Sequence, residues 1–208
     1  MLRGVIDQKH PLGLASRSPR RREMLQALRI PFRVLSADVD ERALEGEGST
    51  SYMQRIVANK LRAAAGAGVG LGLGALLVAD TIVLLDGEIL GKPSSLAEAE
   101  SLLVRLSGRT HEVRTRFALG TCGQGGEAEL LHVETVSSMV SFRPLDAEEI
   151  GGYAKSGEGL DKAGGYALQG LGSFAVARIE GSHSNVIGLP VCELVLALKG
   201  LGLVGRFP

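Results

Sequence analysis

Residues 14–25 read LASRSPRRREML, two serines and a proline running into three consecutive arginines. Ser18 suits the N-cap of a helix, and Pro19 suits the first helical position, where its missing N–H costs nothing. A strand ending at Ala15, a turn, and a helix opening near Ser18–Pro19 would turn the free N–H groups of that first turn toward Ser16, Arg20 and Arg21. Helix-start donors beside guanidinium groups make a site for phosphate oxygens. The competing reading of adjacent arginines is a solvated cationic loop; the serine–proline frame before them favours phosphate.

Asp80 is the second group that could do chemistry. It interrupts the apolar run 75–85, ALLVADTIVLL. A carboxylate there must be paired, protonated, bound to a metal or turned to a cleft, or else be satisfied by local backbone donors. Asp38, Asp40 and Glu41 offer further carboxylates in a loop after a strand. A few oxygen ligands, with phosphates supplying the rest, is how magnesium is commonly held, although an isolated acidic loop is usually only solvated. Lys60 falls late in a helix, and Lys92 stands between Gly91 and Pro93, a tight backbone that aims its ammonium in one direction. Each lysine taken singly also reads as a surface group. Gln169, in a glycine-flanked loop, can read a base edge through its amide. His111, His132 and His183 show no HxH or HExxH spacing, and no Ser/His/Asp order assembles. The chain offers no covalent nucleophile.

These residues need elements to hold them. Residues 31–35 (PFRVL) predict a second strand, followed by the acidic loop. Residues 52–65 show helical spacing, with Tyr52, Ile56 and Leu61 on or near one side. Residues 66–74 alternate glycine with small apolar residues; lacking the GK[ST] ending of a P-loop, they read as a flexible connection. Residues 75–85 form the most strand-like run, Asp86–Gly87 is a hairpin signal, and 88–90 resume the ladder. An amphipathic helix over 96–106 starts at Ser94 or Ser95. Strands near 110–121 and 130–142, a short helix over 146–154 capped by Asp146, and a loop over 155–172 come next. Strands near 174–179 and 185–188 lead to a last helix over 190–199. βα units mixed with antiparallel hairpins predict an α/β fold with a mixed, twisted sheet flanked by helices.

At 208 residues, 45% hydrophobic and 22% charged, the chain can bury a sizeable core as one large domain or two small lobes. Its formal net charge of zero argues against a general polyanion binder, so attraction for anions must be local. The opening of the chain supplies that asymmetry: Arg3, Lys9, Arg17, Arg20, Arg21 and Arg22 stand against Asp7. With no tryptophan, few aromatics for stacking and no net charge, nucleic-acid binding is disfavoured. Cys122 and Cys192 make no CxxC pair and no zinc spacing, and they suggest a reducing compartment with inert thiols. The first ten residues hold no apolar signal core, and 63–77 is too glycine-rich and short to span a bilayer. The expectation is a cytoplasmic protein without membrane association. The last helix and the glycine-rich segment are each able to form a homodimer contact.

LASRSPRRREML, VADTIVLLDGEILGKP, LSGRTHEVRT, DKAGGYALQG and GSHSNVIGLP, in that order, resemble the Maf family of nucleoside triphosphate pyrophosphatases. The likeness runs from about Leu12 to Leu198, so residues 1–208 are expected to form a single domain of that kind. It implies an α/β fold with two lobes and a deep cleft, and hydrolysis of the α–β phosphoanhydride with a divalent metal, Mg²⁺ or Mn²⁺. By the same resemblance, the phosphate-binding serine and paired arginines fall on Ser16, Arg20 and Arg21. The acidic metal-site residue falls on Glu41, the helix lysine on Lys60, the general base, also at the metal, on Asp80, the second phosphate lysine on Lys92 and the loop glutamine on Gln169.

One variant of the family's cleft carries ADT with a glutamine in the loop and resembles enzymes acting on dTTP, UTP and modified pyrimidine triphosphates. The other carries SDQ with a glutamate and looks like enzymes acting on 7-methyl-GTP. Ala79–Asp80–Thr81 and Gln169 place the chain with the first, making Arg20, Thr81 and Gln169 the implied specificity residues. Two alternatives stand beside it. One is a purine-directed pyrophosphatase for 7-methyl-GTP or ITP; the other is a nucleotide-sensing regulator of cell division, a role the family has been linked to through septum formation.

Overall fold

The computed structural model describes residues 5–205; Arg3, counted above in the basic opening of the chain, lies outside them. In chain order the elements are β1 (Leu12–Leu14), α1 (Pro19–Ala27), β2 (Phe32–Val34), α2 (Ser49–Gly68), β3 (Ala75–Leu85), β4 (Glu88–Leu90) and α3 (Leu96–Leu106). They are followed by β5 (Thr110–Cys122), β6 (Ala128–Phe142), α4 (Ala147–Ser156), β7 (Val176–Glu180), α5 (His183–Ile187) and α6 (Val191–Gly200), with 3₁₀ turns at Ala163–Gly165 and Leu171–Ala175. The seven strands form one sheet in the order β2-β1-β3-β5-β6-β7, with β4 hairpinned onto β3. β1 pairs in parallel with β2 and β3, while β3–β4 and β6–β7 are antiparallel, so the expected mixed α/β sheet is present. Among the described residues no helix is long and apolar enough to cross a membrane.

The chain divides into two compact units. The first takes Met1–Asp80, Arg116–Thr135 and Gly188–Pro208; the second takes Thr81–Thr115 and Val136–Ile187.

In the first unit, β3 is covered on both faces, which is why it reads as a continuous apolar run. Its pleat sorts the side chains. Ala75, Leu77 and Ala79 join Leu12, Leu14, Leu25, Leu194 and Leu198 in one cluster, while Leu76 and Val78 join Val57, Leu61, Ala64 and Ala65 of α2 in another. Burying such side chains is worth about 1.5–3 kcal/mol each, so the register of β3 is firmly set and its polar residues go where the pleat sends them. Gly13 on β1 makes the second cluster possible. A Cβ there would press on Leu73, Leu35 and Leu76.

The second unit packs α3 and α4 around Val83, Leu85, Leu103, Leu106, Val113, Val140, Phe142 and Tyr166. Its helices carry their own start signals. Ser95 accepts from the Glu98 N–H, and Asp146 and Glu149 form a reciprocal capping box. Asp86 and Gly87 both take positive φ (53° and 83°), the backbone that a tight β3–β4 hairpin requires.

Three expectations differ. The glycine-rich segment is not a free connection: α2 continues through Gly68, positive-φ turns at Gly70 and Gly72 follow, and Leu71 and Leu73 pack on the core. The segment read as a strand over 185–188 is instead α5, because Ser182 Oγ accepts the Asn185 N–H and its carbonyl accepts from Val186, nucleating a helical turn. Ser18 occupies the N-cap of α1 without a side-chain cap; its own N–H donates to Ser16 Oγ at 3.2 Å.

Candidate active site

Two periodicities meet at Asp80. Leu76 and Val78 of β3 face α2, and on α2 the buried positions Ile56, Val57, Lys60, Leu61 and Ala64 form one helical stripe. Lys60 therefore points at Asp80: Nζ lies 2.7 Å from Asp80 Oδ1 and 2.6 Å from Glu41 Oε1. Asp80 is 8% exposed and Lys60 likewise. The paired state among those open to a buried aspartate is thus the one adopted.

The acidic loop resolves into distinct roles. Asp38 pairs with Arg17 and Asp40 with Arg42, whose guanidinium pulls the Asp40 carboxyl down to about 2. Glu41 is the one of the three that turns to Lys60. Two residues not singled out by sequence hold this loop. The Tyr52 hydroxyl donates to the Glu41 carbonyl at 3.0 Å, and burial, with the charges of Asp80 and Glu41, pushes its ionisation far up, so it remains a donor. Arg55 grips both Glu47 carboxylate oxygens and the Arg42 carbonyl. A tyrosine opening a helix and an i, i+8 Glu–Arg pair carry no local signal of such a task.

Arg21 is buried, and its fork is directed at the protein. Nε donates to the Gly188 carbonyl at 2.7 Å, and Nη1 donates to Ser16 Oγ at 3.0 Å and to the Ala79 carbonyl at 2.9 Å. Burial works against its charge, and the carboxylates of Asp80 and Glu41 work for it. Arg21 thereby ties the turn after β1 to the peptide that precedes Asp80. Ser16 Oγ accepts from both Arg21 and the Ser18 N–H, which leaves its proton to donate elsewhere. Arg20 is half-buried on the first turn of α1. Ser16, Arg21, Lys60, Glu41 and Asp80 thus form one connected group within the first unit.

In the second unit, Thr81 follows Asp80 along β3. Its hydroxyl lies 2.8 Å from the fully buried Thr115 hydroxyl on β5, which donates to the Asn185 carbonyl at 3.1 Å. Lys92 and Gln169 are exposed, on the loops after β4 and after the 3₁₀ turn at Ala163–Gly165. The Gly164 N–H donates to the Gly91 carbonyl at 3.0 Å, tying these loops together. Glu158 fixes the far side of the glutamine loop by accepting from the N–H groups of Leu171 and Gly172 and from the Tyr153 hydroxyl.

No three His, Cys, Asp or Glu side chains come together as a metal cluster among the described residues. What is present is two carboxylates converging on one ammonium. That donor set fits a hard divalent cation held by one or two carboxylates, with water and substrate phosphates completing its shell. It does not fit a soft or structural metal, which would need thiolate or imidazole ligands.

The family profile described as Maf-like protein matches residues 11–201. A dTTP/UTP pyrophosphatase of Geobacter sp. (strain M21) is 47% identical over 193 residues, covering 93% of this chain and 96% of that protein. A dTTP/UTP pyrophosphatase of Myxococcus xanthus (strain DK1622) is 48% identical over 192 residues, covering 92% and 93% respectively. Among solved structures, a HAM1 protein from Coxiella burnetii aligns with a TM-score of 0.39 at 18% identity, over 64% of this chain and 73% of that one.

Proposed function

The chain belongs to the Maf family, and from that premise we propose that it is a nucleoside triphosphate pyrophosphatase acting in the cytoplasm on dTTP, UTP and modified pyrimidine triphosphates. The observation that carries the reading is the convergence of Asp80 and Glu41 on Lys60, beside the Arg21–Ser16 clamp. The products are the nucleoside monophosphate and pyrophosphate.

Electrostatics supports this assignment. The formal charges of Arg21, Lys60, Glu41 and Asp80 cancel, so the group as it stands has little pull on a triphosphate. A divalent cation, Mg²⁺ or Mn²⁺, held by Glu41 and Asp80 would make it net positive and supply Lewis-acid stabilisation of the charge that develops on phosphate oxygens. Ser16 donates its free proton to a phosphate oxygen; Arg20, Arg21, Lys60 and Lys92 offset the remaining charge, the main lever in phosphate chemistry.

Asp80 acts as general base. A water positioned at its carboxylate gives up a proton as its oxygen bonds to phosphorus, and the anhydride bond breaks with its electron pair going to the departing phosphate oxygen. The short bond from Lys60 holds one Asp80 oxygen, leaving the other to take that proton. Arg20, Thr81 and Gln169 read the substrate's identity.

The test is a panel of dTTP, UTP, CTP, 5-methyl-UTP, 7-methyl-GTP and ITP, with Mg²⁺ or Mn²⁺ and with chelator, measuring both products. Pyrophosphate from dTTP and UTP, abolished by chelator and lost in Asp80→Asn, is the expected result. Turnover confined to purines overturns the specificity, and nucleotide binding without turnover of any of them overturns the enzyme assignment.

A further inference from the structure

Lys60 Nζ stands between two carboxylates, 2.7 Å from Asp80 Oδ1 and 2.6 Å from Glu41 Oε1. An ammonium carries three protons and no lone pair, and two of its protons are directed at these oxygens. Glu41 and Asp80 are also the pair that would take a divalent cation. That cation would need oxygens the ammonium already holds, and it would bring two further positive charges against Lys60. Ammonium and cation are rivals for one pair of carboxylates.

The three groups differ in how firmly they are held. Asp80 lies on β3 and Lys60 on α2, with side chains 11% and 10% exposed, and the packing of Leu76 and Val78 on Val57 and Leu61 fixes the two elements together. The Glu41 side chain is 42% exposed and belongs to the segment between β2 and α2 that has neither helix nor strand. Its carbonyl is anchored by the Tyr52 hydroxyl at 3.0 Å, while its carboxylate stays at the solvent boundary. A half-exposed carboxylate loses little on leaving an ion pair, because water takes over. A buried ammonium loses much more unless another anion replaces the one that left. Glu41 is therefore the partner that exchanges, and Asp80 the partner that stays.

We propose that Lys60 keeps the cation site shut by holding Glu41, and that a phosphate oxygen of the nucleotide opens it by taking Glu41's place on the ammonium. Divalent cation and nucleoside triphosphate then bind together, and each binds weakly alone. The inference rests on the reading that Glu41 and Asp80 take the cation for nucleotide hydrolysis, and it adds an order of assembly to that reading. Lys60 retains Asp80 throughout, so its hold on one Asp80 oxygen is the same before and after the nucleotide arrives. The coupling is reciprocal: what the nucleotide does for cation affinity, the cation does for nucleotide affinity.

The test measures Mn²⁺ binding by the full chain without nucleotide, from the electron paramagnetic resonance signal of the free ion. Lys60→Met is expected to bind Mn²⁺ at least about tenfold more tightly than the parent, and Lys60→Arg, which keeps the charge, within about threefold of it. A merely structural role would weaken Mn²⁺ binding, since a damaged site does not gain affinity. Adding Glu41→Gln to Lys60→Met is expected to remove the gain, which places it at this pair of carboxylates.

On the unmodified protein, Mn²⁺ and inorganic phosphate added together are expected to raise the melting temperature by more than the sum of their separate effects; this arm stands even where Lys60→Met fails to fold. Equal Mn²⁺ affinities in the parent and a folded Lys60→Met overturn the inference while nucleotide hydrolysis stands. So do a Lys60→Arg protein that gains as much as Lys60→Met, a gain that survives Glu41→Gln, and strictly additive rises in melting temperature. A parent protein that hydrolyses no nucleoside triphosphate with Mn²⁺ fails the underlying reading, and the inference falls with it.

Discussion

Lys60 Nζ lies 2.7 Å from Asp80 Oδ1, with both side chains only about a tenth exposed. Such a pair gains little over an apolar substitute of the same shape, but removing one partner strands the other. Lys60→Met should therefore destabilise the protein by about 2–4 kcal/mol in urea unfolding, less than for a fully buried pair because Glu41 is still partly solvated. Adding Asp80→Leu should recover part of that loss. A Lys60→Met protein within about 0.5 kcal/mol of the parent would show that the pair is not a determinant of the fold.

Arg21 illustrates why charge alone is not the relevant property. Three of its N–H bonds go to the Gly188 and Ala79 carbonyls and to Ser16, in the fork geometry of a guanidinium. Lysine keeps the charge but cannot span those acceptors. Arg21→Lys should cost about 2–4 kcal/mol, because two buried carbonyls lose their donor. It should also lower kcat more than it raises KM, since the peptide released is the one preceding Asp80. Retention of full stability and kcat in Arg21→Lys would mean that the fork does not position that peptide.

Much of this group is legible in the sequence. The run 75–85 is a strand with its predicted bounds, the serine–proline frame does open α1, and Lys60 lies on the α2 stripe facing Asp80. Strong periodicity sets those features, and burial enforces it. Interactions between distant segments of chain are not legible in the same way. Thr115 belongs to THEVRTRF, whose buried positions are His111, Val113, Thr115 and Phe117. A stripe that alternates polar with apolar types inside the core has no hydrophobic period to detect. Asn185 lies in a β-branched context that suggests a strand, while its helical turn is made by hydrogen bonds that Ser182 accepts from the N–H groups of Asn185 and Val186. Tyr52 falls on its expected helix, but its bond to the Glu41 carbonyl follows from a loop path that no local pattern encodes.

Gly159 offers a test of the glutamine loop that leaves Gln169 itself untouched. A Cβ at Gly159 would overlap the Gly165 carbonyl, and that carbonyl cannot retreat easily because Gly164 and Gly165 are held in positive-φ turns against Val83 and Leu102. Gly159→Ala should therefore push the two loop strands apart. We expect a melting temperature lower by several degrees and KM for UTP raised about tenfold, with kcat less affected. The loss should not be repaired by higher metal concentration, since Glu41 and Asp80, the carboxylates proposed to hold the metal, are not part of this loop. A normal KM in a folded Gly159→Ala protein would remove the loop from substrate binding.

His111 makes stability depend on pH in a definite direction. It is 1% exposed, with Nε2 at 2.7 Å from the Tyr166 hydroxyl and Nδ1 without a hydrogen-bond partner among the described residues. Burial pushes its pKa down to about 4 from the ordinary histidine value of 6.5. Between those limits the unfolded chain takes up a proton that the folded protein refuses, so stability rises with pH across the window. It is complete above about pH 6.5 and is lost progressively as pH falls toward 4, by up to about 3 kcal/mol. The Asp and Glu side chains held by arginines contribute mainly at lower pH, so the upper half of the window isolates the histidine. His111→Gln keeps a partner for the Tyr166 hydroxyl and removes the titration. Urea unfolding between about pH 5 and 6.5 should then show a slope in the parent that flattens in His111→Gln; equal slopes would mean that His111 is protonated as readily in the folded protein as in the unfolded chain.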